Sequence, residues 1–315
     1  MRRHRFDRAV GGWLAAAVLL AAFAGCAVDA ADEGIAETDE ALIGGTEFSS
    51  VTAWQTGTIA LSTGCTGALV SRRHILTAAH CAQSPVYFFG GTIKIAQTGR
   101  QDASAAWSDV KINQTYINPG WTAMCLTTSC SDAETLLAPY APDLAIVELA
   151  ADVPFWFGTA VIPRARFNSD AEVFLAGYGC EISVPGPPPS PARLKMVYTT
   201  TLAASHINDF GQQVVPPSLL WQFENSDIVT PGKLADASSG SLCPGDSGGP
   251  LLLSSPRANG PVYPTNMVIG VNAYYTFRAG SGVSRRNIHA RLNDSGVTLA
   301  WLTGILPDSS FVFLQ

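Results

Sequence analysis

The chain has 315 residues, 47% hydrophobic and 14% charged, with a formal net charge of −6. This is enough apolar material for one large core or two small ones, and nothing in it resembles the basic footprint of a nucleic-acid binder. Twenty-nine Gly and 20 Pro, without long helical periodicity, favour short strands joined by turns and an all-β chain.

Arg2, Arg3, Arg5 and Arg8 precede an apolar stretch from Trp13 to Ala24 that is too short for a comfortable membrane span. This is the layout of an export signal over residues 1–25. Its end, Ala22-Phe23-Ala24-Gly25-Cys26, supports two readings. Ala22 and Ala24 suit ordinary signal cleavage. Ala24-Gly25-Cys26 also resembles a bacterial lipoprotein box, with Phe23 where that box usually has Leu, and would place a lipid on Cys26. The protein is expected to be secreted, or anchored to the cell envelope through Cys26, its one route to a membrane. Residues 26–41 are acidic, rich in Ala and poor in apolar periodicity, and read as an exposed pro-segment. From Leu42 onward the balance is 15 basic against 18 acidic residues, a net of −3.

Beyond Leu42-Ile43-Gly44-Gly45, short apolar or alternating runs recur between turn residues. They cover Thr56 to Leu61, Gly67 to Val70, Val86 to Phe89, Thr92 to Gln97, Leu144 to Leu149, Glu172 to Ala176, Pro250 to Leu253 and Met267 to Val271. The pattern predicts β-barrels or a sandwich. Segments 122–140 and 184–192 read as surface insertions, the second too rich in Pro for a central strand. A helix is predicted after Asp294-Ser295, with Val297, Leu299, Ala300, Trp301 and Leu302 as its apolar stripe. The apolar end, Phe311 to Leu314, has no assignment. Apart from Cys26 there are six cysteines, an even number suited to an oxidising compartment, at spacings unlike those of a zinc site.

Three segments carry chemistry: Leu76-Thr77-Ala78-Ala79-His80-Cys81, Asp143-Leu144-Ala145-Ile146-Val147-Glu148-Leu149 and Cys243-Pro244-Gly245-Asp246-Ser247-Gly248-Gly249-Pro250. A serine hydroxyl is a poor nucleophile until a base takes its proton. A neutral imidazole is such a base near pH 7, and a carboxylate holds its tautomer. Gly245 lets backbone approach a carbonyl closely, so its N–H and that of Ser247 can form an oxyanion hole. Chain order excludes the α/β-hydrolase arrangement, which needs an acid between the serine and a later histidine. No Asp or Glu lies between Ser247 and His289. An acid–His–Ser order through Asp143, His206 and Ser247 lacks any motif around His206. Asp132 is the weaker competitor for the acid, and His74, His206 and His289 read as structural or surface residues.

These segments, in this order, resemble the chymotrypsin/trypsin family of serine proteases from Leu42 to about Leu302. The resemblance implies a domain over 42–315 made of two antiparallel six-stranded β-barrels, split near 155–165, with a C-terminal helix. The catalytic triad would be His80, Asp143 and Ser247. It also implies activation by cleavage after Ala41, which frees Leu42 to pair with Asp246. Ala before the cut departs from the family's usual Arg or Lys, so activation by another protease, or by one with a taste for small residues, is expected rather than trypsin-like self-activation. Cys65–Cys81 matches a family bridge. Cys125–Cys130 would close a small loop within the first insertion, and Cys180–Cys243 would join the Gly177-Tyr178-Gly179 turn to the serine loop. By position, Ser241 and Leu242 form the base of the substrate pocket, with Ala273, Tyr274 and Tyr275 on one wall and Gly282 on the other. With no carboxylate at the base, cleavage after uncharged residues is expected, small ones if Tyr275 narrows the entrance and large apolar ones if it swings outward. Ala273 replaces a serine that usually supports the catalytic acid. The implied partners are protein or peptide substrates, with no cofactor, no metal and a monomeric state. The alternative is a catalytically silent member of the fold used for binding or adhesion.

Overall fold

The computed structural model describes residues 45–97, 107–122, 142–167, 170–179, 194–202, 226–232, 240, 242–243, 245–255, 262–276, 285–293 and 296–313. The export signal, the pro-segment, Cys26, Leu42 and nearly all of both insertions lie outside the described residues. After β1 (Thr46–Glu47) comes a short helix, α1 (Ser50–Thr56). Ser49 caps it by accepting from the Thr52 N–H at 3.3 Å, and Gly57 ends it at φ 67. The apolar run from Thr56 predicts a strand at once. The left-handed glycine instead closes the helix first, and the strand starts at Thr58.

Six strands then close a barrel: β2 (Thr58–Leu61), β3 (Thr66–Ser71), β4 (His74–Thr77), β5 (Thr92–Ala96), β6 (Ser108–Ile117) and β7 (Ala145–Leu149), in the order β2-β3-β4-β7-β6-β5. Alternation along β3, β4 and β7 explains their continuous apolar runs. Leu69, Ile75 and Val147 join the cluster with Ile59, Ile93 and Ile95 that fills the barrel. Their neighbours Ala68, Val70, Leu76 and Ile146 join another cluster with Ala176, Leu252 and Val271 from the second half of the chain. Strands buried on both faces lose the polar alternation of a one-sided sheet.

The second half contains β8 (Ile162–Pro163), β9 (Glu172–Gly177), β10 (Lys195–Thr200), β11 (Asp227–Gly232), β12 (Pro250–Ser254), β13 (Pro264–Thr276) and β14 (Arg285–Arg291). All but β8 join with β1 in one sheet, ordered β1-β10-β9-β12-β13-β14-β11. The sheet curls until Leu202, just past β10, bridges Val229 of β11. Six of its strands therefore complete a circuit through a single bridge, while β1 is appended as a seventh. Pro231 is tolerated in β11 because, among the described residues, that strand's pairing on the side away from β14 is limited to the bridge at Val229.

Two predicted elements differ. Val86 to Phe89 is no strand. Pro85 opens a 3₁₀ turn over Pro85–Tyr87, whose buried Tyr87 hydroxyl pairs with that of Thr63 at 2.8 Å. The C-terminal helix α2 (Val297–Ile305) exists, but its inward face is Thr298, Trp301, Leu302 and Ile305, and Val297 points outward, 78% exposed. Spacing of three and four residues selects that face. The apolar end finds its place in β15 (Phe311–Val312), which pairs in parallel with β8, and the Arg164 guanidinium lies 4.9 Å from the rings of both Phe311 and Phe313. Among the described residues no helix is long and apolar enough to cross a membrane.

Candidate active site

Antiparallel pairing of β4 with β7 sets Thr77 opposite Ala145, so the chain leaves β4 and enters β7 at the same end of the barrel. His80 follows β4 and Asp143 precedes β7. The pairing brings them together. His80 Nδ1 lies 2.6 Å from Asp143 Oδ2, and the His80 backbone N–H donates to Asp143 Oδ1 at 2.9 Å. Asp143 is 4% exposed, whereas the His80 side chain is 36% exposed and open to a ligand. Burial pushes the imidazole toward its neutral form. The charge of Asp143 and its hydrogen bond push the other way and prevail, raising the His80 pKa above its ordinary 6.5.

A disulfide, Cys65–Cys81, joins the start of β3 to the residue after His80. Cys65, His80 and Cys81 crowd within metal-ligand spacing, but the bridged sulfurs offer no thiolate. Cys81 Sγ lies 3.6 Å from His80 Nε2 and 3.6 Å from the Ser247 carbonyl oxygen. The imidazole and Ser247 are therefore neighbours across a single atom.

The serine loop reaches this position through two left-handed glycines, Gly245 at φ 97 and Gly248 at φ 84. A Cβ on Gly248 would come within 2.1 Å of Thr77 Oγ1 and 2.3 Å of the Thr66 carbonyl oxygen. Only glycine lets the loop lie on β3 and β4. Thr66 fastens it, donating from its backbone N–H to Ser247 O at 2.9 Å and from its hydroxyl to Gly245 O at 2.8 Å. Asp246 is fully buried and accepts from the N–H groups of Gly179 and Cys243, both at 2.9 Å. A Cβ on Gly177 would approach its Oδ1 to 2.0 Å, which accounts for the first glycine of the Gly177-Tyr178-Gly179 turn. Cys243 is itself disulfide-bonded. Cys180, its expected partner, lies outside the described residues, as do Cys125 and Cys130.

Of the expected pocket residues, Leu242 and Ala273 are buried. Ala273 sits at a register shift of β13 between Asn272 and Tyr274. The Tyr274 hydroxyl is buried without a hydrogen-bond partner among the described residues, and Tyr275 pairs with Asn287 in the β13–β14 ladder. Ser241 and Gly282 lie outside the described residues. The sequence did not point to the buried polar residues behind this wall. Thr230, Asn272, Asn287 and His289 are each 0% exposed, and no local motif marks them. Nor did it single out Asp227, whose carboxyl burial pushes up to about 7, with the Ser226 hydroxyl and Arg291 opposing and the Asp143 charge adding.

This geometry, an imidazole clamped by a buried carboxylate beside a glycine-held serine on a seam of β-strands, matches a known class. A family model described as Trypsin covers residues 42–293, and the chain belongs to that family of serine proteases. It is 29% identical to human Serine protease 41 over 60% of this chain and 55% of that protein. It is 26% identical to Phenoloxidase-activating enzyme 1 of Spodoptera litura over 61% of this chain and 48% of that one. Mouse Serine protease 23 is 32% identical over 20% of this chain and 21% of its own length. The chain spans about half the length of the first two.

Proposed function

We propose that this chain is an exported serine endopeptidase that cleaves peptide bonds through an acyl-enzyme intermediate, with His80, Asp143 and Ser247 as its triad. The 2.6 Å contact between His80 Nδ1 and Asp143 Oδ2, beside the glycine-held Ser247, carries the reading. Asp143 accepts a hydrogen bond from the Nδ1–H, which fixes that tautomer and leaves Nε2 as the base. Ser247 Oγ attacks the scissile carbonyl while Nε2 takes its proton. The resulting oxyanion is bound by the N–H groups of Gly245 and Ser247, each such donor worth about 3–4 kcal/mol. His80 then gives the proton to the departing amine, and water attacks the acyl-enzyme by the same route in reverse.

The buried Asp246 carboxylate, set among backbone N–H groups, supports activation by a new ammonium at Leu42 after cleavage behind Ala41. Full activity of protein with the 41–42 bond intact would end that idea. A pocket of Ser241, Leu242, Ala273, Tyr274, Tyr275 and Gly282 offers a buried Lys or Arg no partner, so uncharged residues are preferred before the cut.

The test is labelling of the processed protein by a fluorophosphonate. Wild type is expected to react and Ser247→Ala to remain unlabelled. A wild type that stays unlabelled and cleaves nothing in a peptide-library digest would favour a silent binding protein on the same fold.

A further inference from the structure

Resting on the peptidase reading, we propose that Asn272 is a positioning residue that aims the Ser247 N–H at the oxyanion, and that His289 fixes Asn272 for this task. A peptide unit is planar and trans, so the carbonyl of Asp246 and the N–H of Ser247 share one plane and point in opposite directions. Whatever holds the carbonyl aims the N–H. Asn272 Nδ2 donates to Asp246 O at 3.2 Å, a carbonyl it shares with the Gly249 N–H at 3.0 Å, and to Ala176 O at 3.0 Å. The backbone of Asn272 adds two further bonds to the same loop, accepting from Gly248 N and donating to Gly249 O, each at 2.8 Å.

The amide can do this in only one orientation, and a chain of buried bonds selects it. With Nδ2 committed to two carbonyls, Asn272 Oδ1 must accept, so His289 Nδ1, 2.9 Å away, carries the proton. Burial holds this imidazole neutral, its pKa pushed down to about 3. Its Nε2 is then an acceptor, and the Thr230 hydroxyl donates to it at 3.0 Å. Thr230 Oγ1 in turn accepts from Asn287 Nδ2 at 3.2 Å, and Asn287 Oδ1 accepts from Leu242 N at 2.9 Å. Asn287, Thr230, His289 and Asn272 thus donate in one direction, from the segment at the expected base of the pocket to the peptide that bears an oxyanion donor. The sheet builds this register: Asn272 lies opposite His289, and Thr230 opposite Asn287, across β13, β14 and β11. All four side chains are fully buried, so a broken link finds no water to replace it.

The experiment uses full-length chain processed as for the labelled wild type. Asn272→Leu and His289→Phe are expected to lower kcat about tenfold to a hundredfold, less than outright loss of a donor, with KM within about twofold. Affinity for a peptide aldehyde, whose adduct bears the oxyanion, should fall in parallel with kcat. His289→Gln, which keeps a donor for Asn272, should restore most of both. The inference is overturned if folded Asn272→Leu keeps wild-type kcat, or if KM and kcat worsen alike. Should Asn272→Leu fail to fold, the His289→Phe and His289→Gln pair decides, and equal kcat in the two overturns it. An unlabelled wild type would sink the peptidase reading itself, a result distinct from labelled wild type with unaffected variants.

Discussion

At His80 burial and charge compete, and the outcome sets a pH dependence. In the proposed mechanism neutral imidazole is the competent base, and Asp143 holds the ring's pKa above 6.5. The value of kcat/KM should therefore fall on the acid side through a midpoint above 6.5. Asp143→Asn removes the attraction, so that midpoint should move down. The plateau should drop about 10⁴-fold, because an amide no longer enforces the Nδ1–H tautomer. A pH–rate profile of the two proteins checks both effects. An acid limb unmoved by the substitution would mean that the carboxylate does not govern the imidazole. Stability runs the other way. A pKa raised on folding stabilises fully below the unfolded value, and that gain fades as pH rises through the folded one. The pair is thus strongest where the base is protonated and idle.

Strands carry the residues to this seam, and β4 shows how. Ile75 and Leu76 are adjacent and equally buried, but Ile75 enters the barrel cluster and Leu76 the cluster shared with the second half. Either change to Ala should cost about 2–5 kcal/mol of stability by leaving a cavity. Only Leu76→Ala should also lower kcat/KM at a temperature where both variants are folded, since its cavity opens beside Thr66, which bonds the serine loop and is itself bonded by the Thr77 hydroxyl. Denaturation midpoints and rates measured together separate the two roles, and equal rates would mean that the seam tolerates the void. The same two-sided burial decides what could be read from sequence. The runs of β3, β7 and β12 were legible as continuous apolar stretches, and His80, Asp143 and Ser247 through the residues around them. Thr230, Asn272, Asn287 and His289 were not, because each is defined by a partner 17 to 59 positions away and by no neighbour in sequence. His289 read as a structural or surface residue for lack of a motif, and Val86 to Phe89 misread as a strand because Pro85 starts a turn that apolarity alone does not reveal.

Across the whole molecule, two buried titrations oppose one another. His289 is held neutral with a pKa near 3 and unfolds to about 6.5, so the unfolded chain binds the extra proton between those values. Stability from this source is complete above about pH 6.5 and drains as pH falls toward 3. Asp227 does the reverse. Its carboxyl is pushed up to about 7 and unfolds to about 3.9, so its contribution is complete below about pH 4 and is lost as pH rises through 7. Each group contributes at most about 1.4 kcal/mol per pH unit, so between about pH 4 and 6.5 the two slopes largely cancel. Removing either should expose the other. Urea unfolding at intervals from pH 4 to 8 should show wild type losing its advantage over His289→Gln as pH falls. Its advantage over Asp227→Asn should shrink as pH rises. Profiles that stay parallel to wild type in both variants would mean that neither group changes its proton occupancy on folding.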